Sequence, residues 1–190
     1  MNDTTSAESR KFWSAQRILA SIACAPWAYL AWSGYDLCYG PRVHTVPGYP
    51  IDIYATRGTF QDVHQLAIDA AAVVKGVEGV PDIPLFRKNT AAFVHEMHEG
   101  ALSNVDGDTN YVRIHVTTNP GALAQREKQI AVVRQLTDLA SRAAGDPTLP
   151  DRTWVILTEA IAGGWGLRGH AHTNDELVGV ARAEIAKLKG

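Results

Sequence analysis

Two segments of the chain that lie 63 positions apart share one alternating pattern of apolar and polar residues. Ile51, Ile53 and Ala55 occupy every second position of the first segment, and Ile114 and Val116 repeat the alternation in the second. A period of two is the signal of a β-strand with one buried face. The same shift superposes Gly58 on Gly121, Pro84 on Pro147 and Glu96 on Glu159. We therefore predict an internal duplication with repeats at 49–110 and 111–172.

Each repeat is predicted to form a strand, a helix and a second strand. In the first repeat, Gly58 ends the strand, residues 59–62 resemble a capping box, and apolar residues at helical spacing follow from Val63. The strands are predicted at 51–55, 90–96, 112–118 and 153–159, and the second helix at about 123–144. After the second repeat, glycines surround Trp165 in a predicted hairpin, and residues 173–176 cap a last helix.

These elements predict an α/β (α+β) fold made of duplicated β-α-β units. A strand, a helix and a strand in succession make a right-handed crossover between parallel strands, which puts both helices on one face of the sheet. The prediction is a four-stranded sheet with one covered and one bare face, followed by the C-terminal hairpin and helix. Because a bare sheet face needs a partner, we expect a homo-oligomer.

Residues 1–48 differ in composition from the rest of the chain, which predicts a boundary between an N-terminal extension and a domain at 49–190. The extension holds both cysteines and three of the five tryptophans. Its apolar stretch at 18–32 is shorter than a membrane span and contains Pro26, so no membrane anchor is expected. The extension is interpreted as an aromatic arm on the core, as a signal-like segment, or as sequence upstream of the natural start.

The overall composition narrows the choice of partners and compartment. The chain of 190 residues has a formal net charge of -2, so a basic surface for nucleic acid is not expected. Two cysteines are too few for a disulfide framework, which favours the reducing cytoplasm. Metal binding is not expected either, because His95 and His98 point to opposite faces of a strand, and His170 with His172 lacks further ligands.

The order of these features resembles the tautomerase superfamily. A strand, a glycine, a helix, a proline, a strand and a glutamate occur twice, and "GGWGLRG" follows at 163–169. The match covers about residues 49–190 and is similar to the long, 4-oxalocrotonate tautomerase-like members with two β-α-β units. The resemblance implies an isomerase without cofactor or metal that moves a proton within a small carboxylated substrate, and assembly as a trimer. It also implies that an amino-terminal proline is the general base.

The chain departs from that family at the proline. A terminal proline has a secondary amine that accepts a proton, whereas an internal proline has an amide nitrogen without a basic lone pair. Pro47 and Pro50 are both internal in this sequence. Each is a candidate catalytic residue if translation begins at Val46 or if proteolysis exposes a proline. Otherwise both are structural, since a proline is tolerated at the start of a strand.

Four more residues are candidates for contact with a substrate. Arg113 and Arg152 offer planar guanidinium groups for a carboxylate, or are simply solvated or ion-paired. Trp165 matches the hairpin aromatic that closes the family's pocket, or packs at a subunit interface. Tyr49 occupies the column of the catalytic proline and is a candidate hydrogen-bond donor.

The leading prediction from the sequence is a tautomerase-like isomerase with a proline amine as the general base. Two alternatives stay open. One is a hydratase or dehalogenase of unsaturated acids, in which the same amine stays protonated and water attacks the substrate. The other is a non-catalytic oligomeric protein, because neither proline is terminal in this sequence.

Overall fold

A computed structural model describes residues 48–189, and the structural statements below concern those residues. The elements in chain order are β1 Pro50–Thr56, α1 Val63–Glu78, α2 Pro84–Asn89, β2 Ala91–Met97, β3 Val112–Thr118, α3 Arg126–Ala144, a 3-10 helix Leu149–Arg152, β4 Thr153–Glu159, β5 Trp165–Leu167, β6 His170–His172 and α4 Asn174–Lys189. The predicted extension at 1–48 lies outside the described residues, apart from Gly48. None of the described helices is long and apolar enough to span a membrane.

The first four strands form one sheet in the order β2-β1-β3-β4. β1 is parallel to β2 and β3 is parallel to β4, while β1 and β3 are antiparallel neighbours at the centre. β5 and β6 pair in a separate hairpin. This arrangement confirms the predicted fold of duplicated β-α-β units with a C-terminal hairpin and helix.

The alternation along the strands separates the two faces of the sheet. Ile53 of β1 and Ile114 of β3 are buried in one core with Leu66 of α1 and Leu136 of α3. We call this side of the sheet the helix face. Side chains at the intervening positions, such as Asp52 of β1, point to the opposite side, which we call the open face.

The duplication is visible in one hydrogen bond that occurs in both repeats. The backbone N–H of Gly58 donates to Glu96 Oε1 at 3.2 Å, and the N–H of Gly121 donates to Glu159 Oε1 at 3.0 Å. In each repeat the glutamate at the end of the second strand thus fixes the turn after the first strand. Gly58 and Gly121 have positive φ angles of 83° and 81°, which L side chains rarely adopt.

This geometry predicts opposite changes in the free energy of unfolding for two glycine substitutions. Gly58→Ala is expected to lower the free energy of unfolding by about 1–2 kcal/mol, because a Cβ is disfavoured at this φ. A Cβ at this position would have no other atom within 4 Å, so the cost is conformational. Gly76→Ala, within α1 and equally open, is the matched control and is expected to raise stability by about 0.5–1 kcal/mol. Urea denaturation measures both, and a loss of stability at Gly76 would contradict the argument.

The start of α1 differs from the prediction. Residues 59–62 do not form a capping box, because Asp62 is itself the N-cap and its carboxylate accepts from Gln65 N at 2.9 Å. The Thr59 hydroxyl instead donates to the carbonyl of Thr56 at 2.6 Å. The predicted cap of the last helix is confirmed. Thr173 N donates to Glu176 Oε2 at 2.7 Å, and Glu176 N donates back to the Thr173 hydroxyl at 3.4 Å.

One further boundary and one short helix depart from the sequence-based assignment. α3 begins at Arg126 instead of about residue 123, because a turn that includes an Ala122 N–H to Asn119 carbonyl bond precedes it. The short helix α2 was not predicted. Pro84 is its first residue, where a missing N–H has no intrahelical partner to lose.

Candidate active site

The proline at the start of β1 fits the sheet without a lost hydrogen bond. Pro50 pairs in register with Ala91 of β2, and the bond at this point runs from Ala91 N to the Tyr49 carbonyl at 3.0 Å. The missing N–H of Pro50 is therefore tolerated at the first strand position. Pro50 lies on the open face and is half-buried, whereas Tyr49 lies on the helix face and is 0% exposed. Pro47, the other predicted catalytic residue, lies outside the described residues.

The hairpin brings Trp165 to this end of the sheet. A Cβ added to Gly48 would lie only 2.8 Å from Cζ2 of the Trp165 indole, so the ring rests against the backbone just before Pro50. Trp165 also packs on a cluster of α2 and α4 residues that includes Phe86 and Leu177. The sequence-predicted Trp165 thus lies against the chain two residues before Pro50. Glycine is required at 48 because any side chain would meet the indole.

The two predicted arginines lie at the other end of the sheet. Arg113 is the register partner of Tyr54, which is four residues along β1 from Pro50. At a strand rise of about 3.3 Å per residue, this places Arg113 about 13 Å along the sheet from Pro50. A small acid could not contact both residues in one copy of the chain.

Arg152 is already engaged by the loop before β4. Its Nη2 donates to Asp146 Oδ2 at 2.7 Å, its Nη1 to the Thr148 hydroxyl at 3.0 Å, and its Nε to the Asn110 carbonyl at 3.3 Å. Arg113, in contrast, contacts no hydrogen-bond acceptor within the described part of the chain, and its Cζ lies 4.3 Å from the ring centroid of Tyr54. Arg113 therefore has the more available guanidinium.

The loop that holds Arg152 predicts that part of the free energy of unfolding depends on pH. The pKa of Asp146 lies below its ordinary value, mainly because the Thr148 side chain and backbone donate hydrogen bonds to it, with Arg152 adding to the effect. A lowered folded-state pKa stabilises the fold above the ordinary Asp pKa, and that stabilisation disappears as the pH falls through the folded-state pKa. The difference in unfolding free energy between the wild type and Asp146→Asn is therefore expected to shrink on acidification.

Denaturant unfolding at several pH values measures this difference. Asp138→Asn is the matched control, because Asp138 is exposed and accepts no side-chain hydrogen bond within residues 48–189. A difference for Asp146→Asn that stays constant down to strongly acidic pH would contradict the role assigned to its carboxylate.

Sequence reasoning missed a row of side chains across the open face. His95 of β2, Tyr54 of β1, Arg113 of β3 and Trp154 of β4 are successive register partners. The Tyr54 and His95 rings are stacked with centroids 4.3 Å apart. His95 Nε2 also lies 2.7 Å from Asp52 Oδ1. The signal available in the sequence was the alternate placement of these polar residues, but pairing them required the strand register.

A groove of about 690 Å³ lies elsewhere, on the helix side. Its lining includes Gln61, Asp69 and Arg142, and none of the sequence-predicted site residues contributes to it. Among residues 48–189, no group of three potential metal ligands converges. Pro50 and Arg113 instead lie on the open face of the sheet.

No protein-family model matches the chain, and no curated protein sequence matches it. Solved structures do match it. One is a protein named Pt0534 inactivated by 2-oxo-3-pentynoate, with a TM-score of 0.55 and 19% identity over 67% of this chain and 98% of that chain. Another is a member of the cis-3-chloroacrylic acid dehalogenase family, with a TM-score of 0.54 and 16% identity over 70% of this chain and 90% of that one.

A third match is a fused 4-OT protein that forms a symmetric trimer. It has a TM-score of 0.51 and 15% identity, over 64% of this chain and 93% of that chain. These structures are similar to this chain in fold and share little of its sequence. The described part of this chain has the fold of the tautomerase superfamily.

Proposed function

We propose that the protein is a tautomerase-type isomerase that moves a proton between carbon and oxygen, or between two carbons, of a small carboxylated oxo or enol compound. No cofactor is needed, because a free proline amine supplies the base. The observation that carries the proposal is that Trp165 lies against Gly48, two residues before the proline that begins β1. Trp165 would exclude water from the reacting atoms and so strengthen charge interactions there.

Of the two prolines, Pro47 is the better terminal base. A chain that began at Pro50 would lose Tyr49, which is fully buried and whose carbonyl accepts a hydrogen bond from β2. A chain that began at Pro47 would keep Tyr49 and Gly48, and with them the contact to Trp165. The proposed base is therefore the amine of Pro47, released by an alternative start at Val46 or by proteolysis. Pro50 then has a structural part at the start of the strand.

The carboxylate of the substrate would be bound by Arg113. Its guanidinium contacts no acceptor among the described residues, whereas Arg152 already donates to Asp146, Thr148 and Asn110. Arg113 is about 13 Å along the sheet from Pro50, which follows the proposed base Pro47 in the chain, so in this proposal Arg113 comes from a neighbouring copy. The site would thus be complete only in an oligomer.

The distribution of apolar residues on the open face supports such an assembly. Phe93 on β2 and Trp154 and Ile156 on β4 are 51%, 52% and 43% exposed, and both strands are at the edges of the sheet. The central strands carry polar residues on this face, such as Asp52 and Arg113. Neighbouring copies would therefore contact one another through the outer strands and leave the centre of the face open. We propose a homotrimer, the assembly reported for the fused 4-OT structure.

The natural amino terminus tests the proposal. Intact mass measurement and N-terminal sequencing of the protein from its own host should find Pro47 as the first residue. That form should interconvert the enol and keto forms of a 2-oxo acid. A terminus at Met1 or Asn2, together with no enol-keto activity, would support the non-catalytic alternative and overturn the proposal.

A further inference from the structure

The four strands of the described sheet carry five ionisable side chains on the open face. Four of them belong to the central strands β1 and β3, one belongs to the edge strand β2, and β4 contributes none to this face. They are Asp52, Tyr54, His95, Arg113 and His115. The outer strands carry the exposed apolar residues through which neighbouring copies would contact one another. Any copy packed on this face therefore has to accommodate the charges at its centre.

At mildly alkaline pH these five groups carry no net charge. Asp52 is their single carboxylate and Arg113 their single guanidinium, so one negative and one positive charge cancel. Neutral imidazole and phenol groups add no charge under these conditions. A face without net charge can pack against further copies of itself, and the exposed apolar residues of the outer strands favour that contact.

Acid changes this balance because of the two histidines. A histidine ordinarily takes up a proton between about pH 8 and about pH 5. His95 Nε2 lies 2.7 Å from Asp52 Oδ1, so this carboxylate matches the charge that His95 gains. His115 Nε2 lies 2.9 Å from the Thr158 hydroxyl, which has no charge to match an imidazolium. The positive charges of His115 and Arg113 then stay uncompensated on the open face of each copy.

We infer that the open face is a contact between copies of this chain that acid opens, and that His95 and His115 are the groups that take up the proton. The inference depends on the homo-oligomer of the proposed function and adds its regulation. Assembly encloses the centres of the faces, where like charges repel one another more strongly than in water. Separate copies keep both imidazoles in water and bind protons more readily. By linkage, protons therefore favour the separate copies.

The same change would control the proposed activity. The substrate carboxylate is assigned to Arg113 of a neighbouring copy, so a copy that separates in acid loses this group from its site. The device would confine activity to the pH range in which the open face carries no net charge.

Sedimentation velocity of the full chain tests the inference. From about pH 8 to about pH 5.5, the concentration at which half of the chains are assembled is expected to rise at least about tenfold, because like charges across an interface oppose association. A variant with both His95→Gln and His115→Gln has no imidazole on the open face of the described sheet. It is expected to stay assembled over the whole range.

A variant with both His64→Gln and His98→Gln is the matched control. His64 is exposed on α1 and His98 is exposed in the turn after β2, so this variant also loses two imidazoles but keeps those of the open face. It should separate in acid as the wild type does. Circular dichroism at each pH distinguishes separation from unfolding.

Each outcome decides the question. Separation of the wild type and the control in acid, with the His95→Gln and His115→Gln variant still assembled, supports the inference. A wild type that is equally assembled at both pH values overturns it, and so does a variant without both open-face imidazoles that separates as the wild type does. A wild type that is not assembled at about pH 8, or that loses its circular dichroism signal over the same range, also overturns it.

A second pair of substitutions covers the case in which the glutamines themselves prevent assembly. His95→Asn with His115→Asn then decides the question, and failure of both pairs to assemble overturns the inference, because neutral polar side chains should be tolerated there. The proline proposal is judged separately by the natural amino terminus. An oligomer that acid leaves intact would overturn the pH dependence and leave the Pro47 amine untouched as the proposed base.

Discussion

A chain that begins at Pro47 is expected to interconvert the enol and keto forms of a 2-oxo acid at least about 100-fold faster than the same chain with its full extension. The physical reason is the change at the nitrogen of Pro47. As an amide, this nitrogen has no basic lone pair, whereas as a terminal secondary amine it accepts a proton from carbon. The measurement is the rate of decay of the enol absorbance.

Two control chains make this first prediction specific. A chain that begins at Gly48 keeps every described residue but has a primary amine, and it should be much slower. A chain that begins at Pro50 has a terminal proline but lacks Tyr49, and it should unfold more readily. Equal rates for the full chain and the Pro47 chain would show that the proline amine is not the base.

Tyr49→Ala is expected to lower the free energy of unfolding by about 3–5 kcal/mol, the range for truncating a buried aromatic residue. Tyr49 is 0% exposed and belongs to the same core cluster as Ile53 and Leu136. Removing its ring would leave a cavity between the start of β1 and the helices. Guanidinium chloride denaturation measures the loss.

Tyr49→Phe separates packing from the hydroxyl group. It keeps the ring and is expected to cost much less than Tyr49→Ala. The same variant tests the sequence-based prediction that the Tyr49 hydroxyl donates a hydrogen bond to the substrate. If Tyr49 only packs, the Phe variant keeps its kcat/KM. A Tyr49→Ala protein as stable as the Phe variant would contradict the structural role.

The sheet could be predicted because apolar and polar residues alternate along the central strands, and the apolar positions are the buried ones. Ile51 and Ile53, like Ile114 and Val116, all lie on the helix face, as the period of two required. The repeat was recoverable because Gly58 and Glu96 must recur together to fix the same turn. The start of α1 was misassigned because Thr59 and Asp62 both suit a cap, and only the backbone path selects between them.

The candidate site was less predictable because it depends on contacts between distant positions. Trp165 lies against Gly48 through the placement of the hairpin, and no local pattern encodes that contact. Asp52 and His95 lie 43 positions apart and become neighbours only through the register of β1 and β2. The engagement of Arg152 likewise follows from the loop before β4. A single sequence does not supply these relations.

The central pairing of β1 with β3 means that neither repeat closes a core of its own. Leu66 of the first repeat and Leu136 of the second share one cluster, and α1 and α3 cover the same face. Either repeat alone would therefore expose the apolar surface that it buries against the other repeat. The covalent connection between Met97 and Val112 acts as a tether that holds two complementary fragments at high effective concentration. One repeat alone would need a second copy of itself to complete such a core before it could fold.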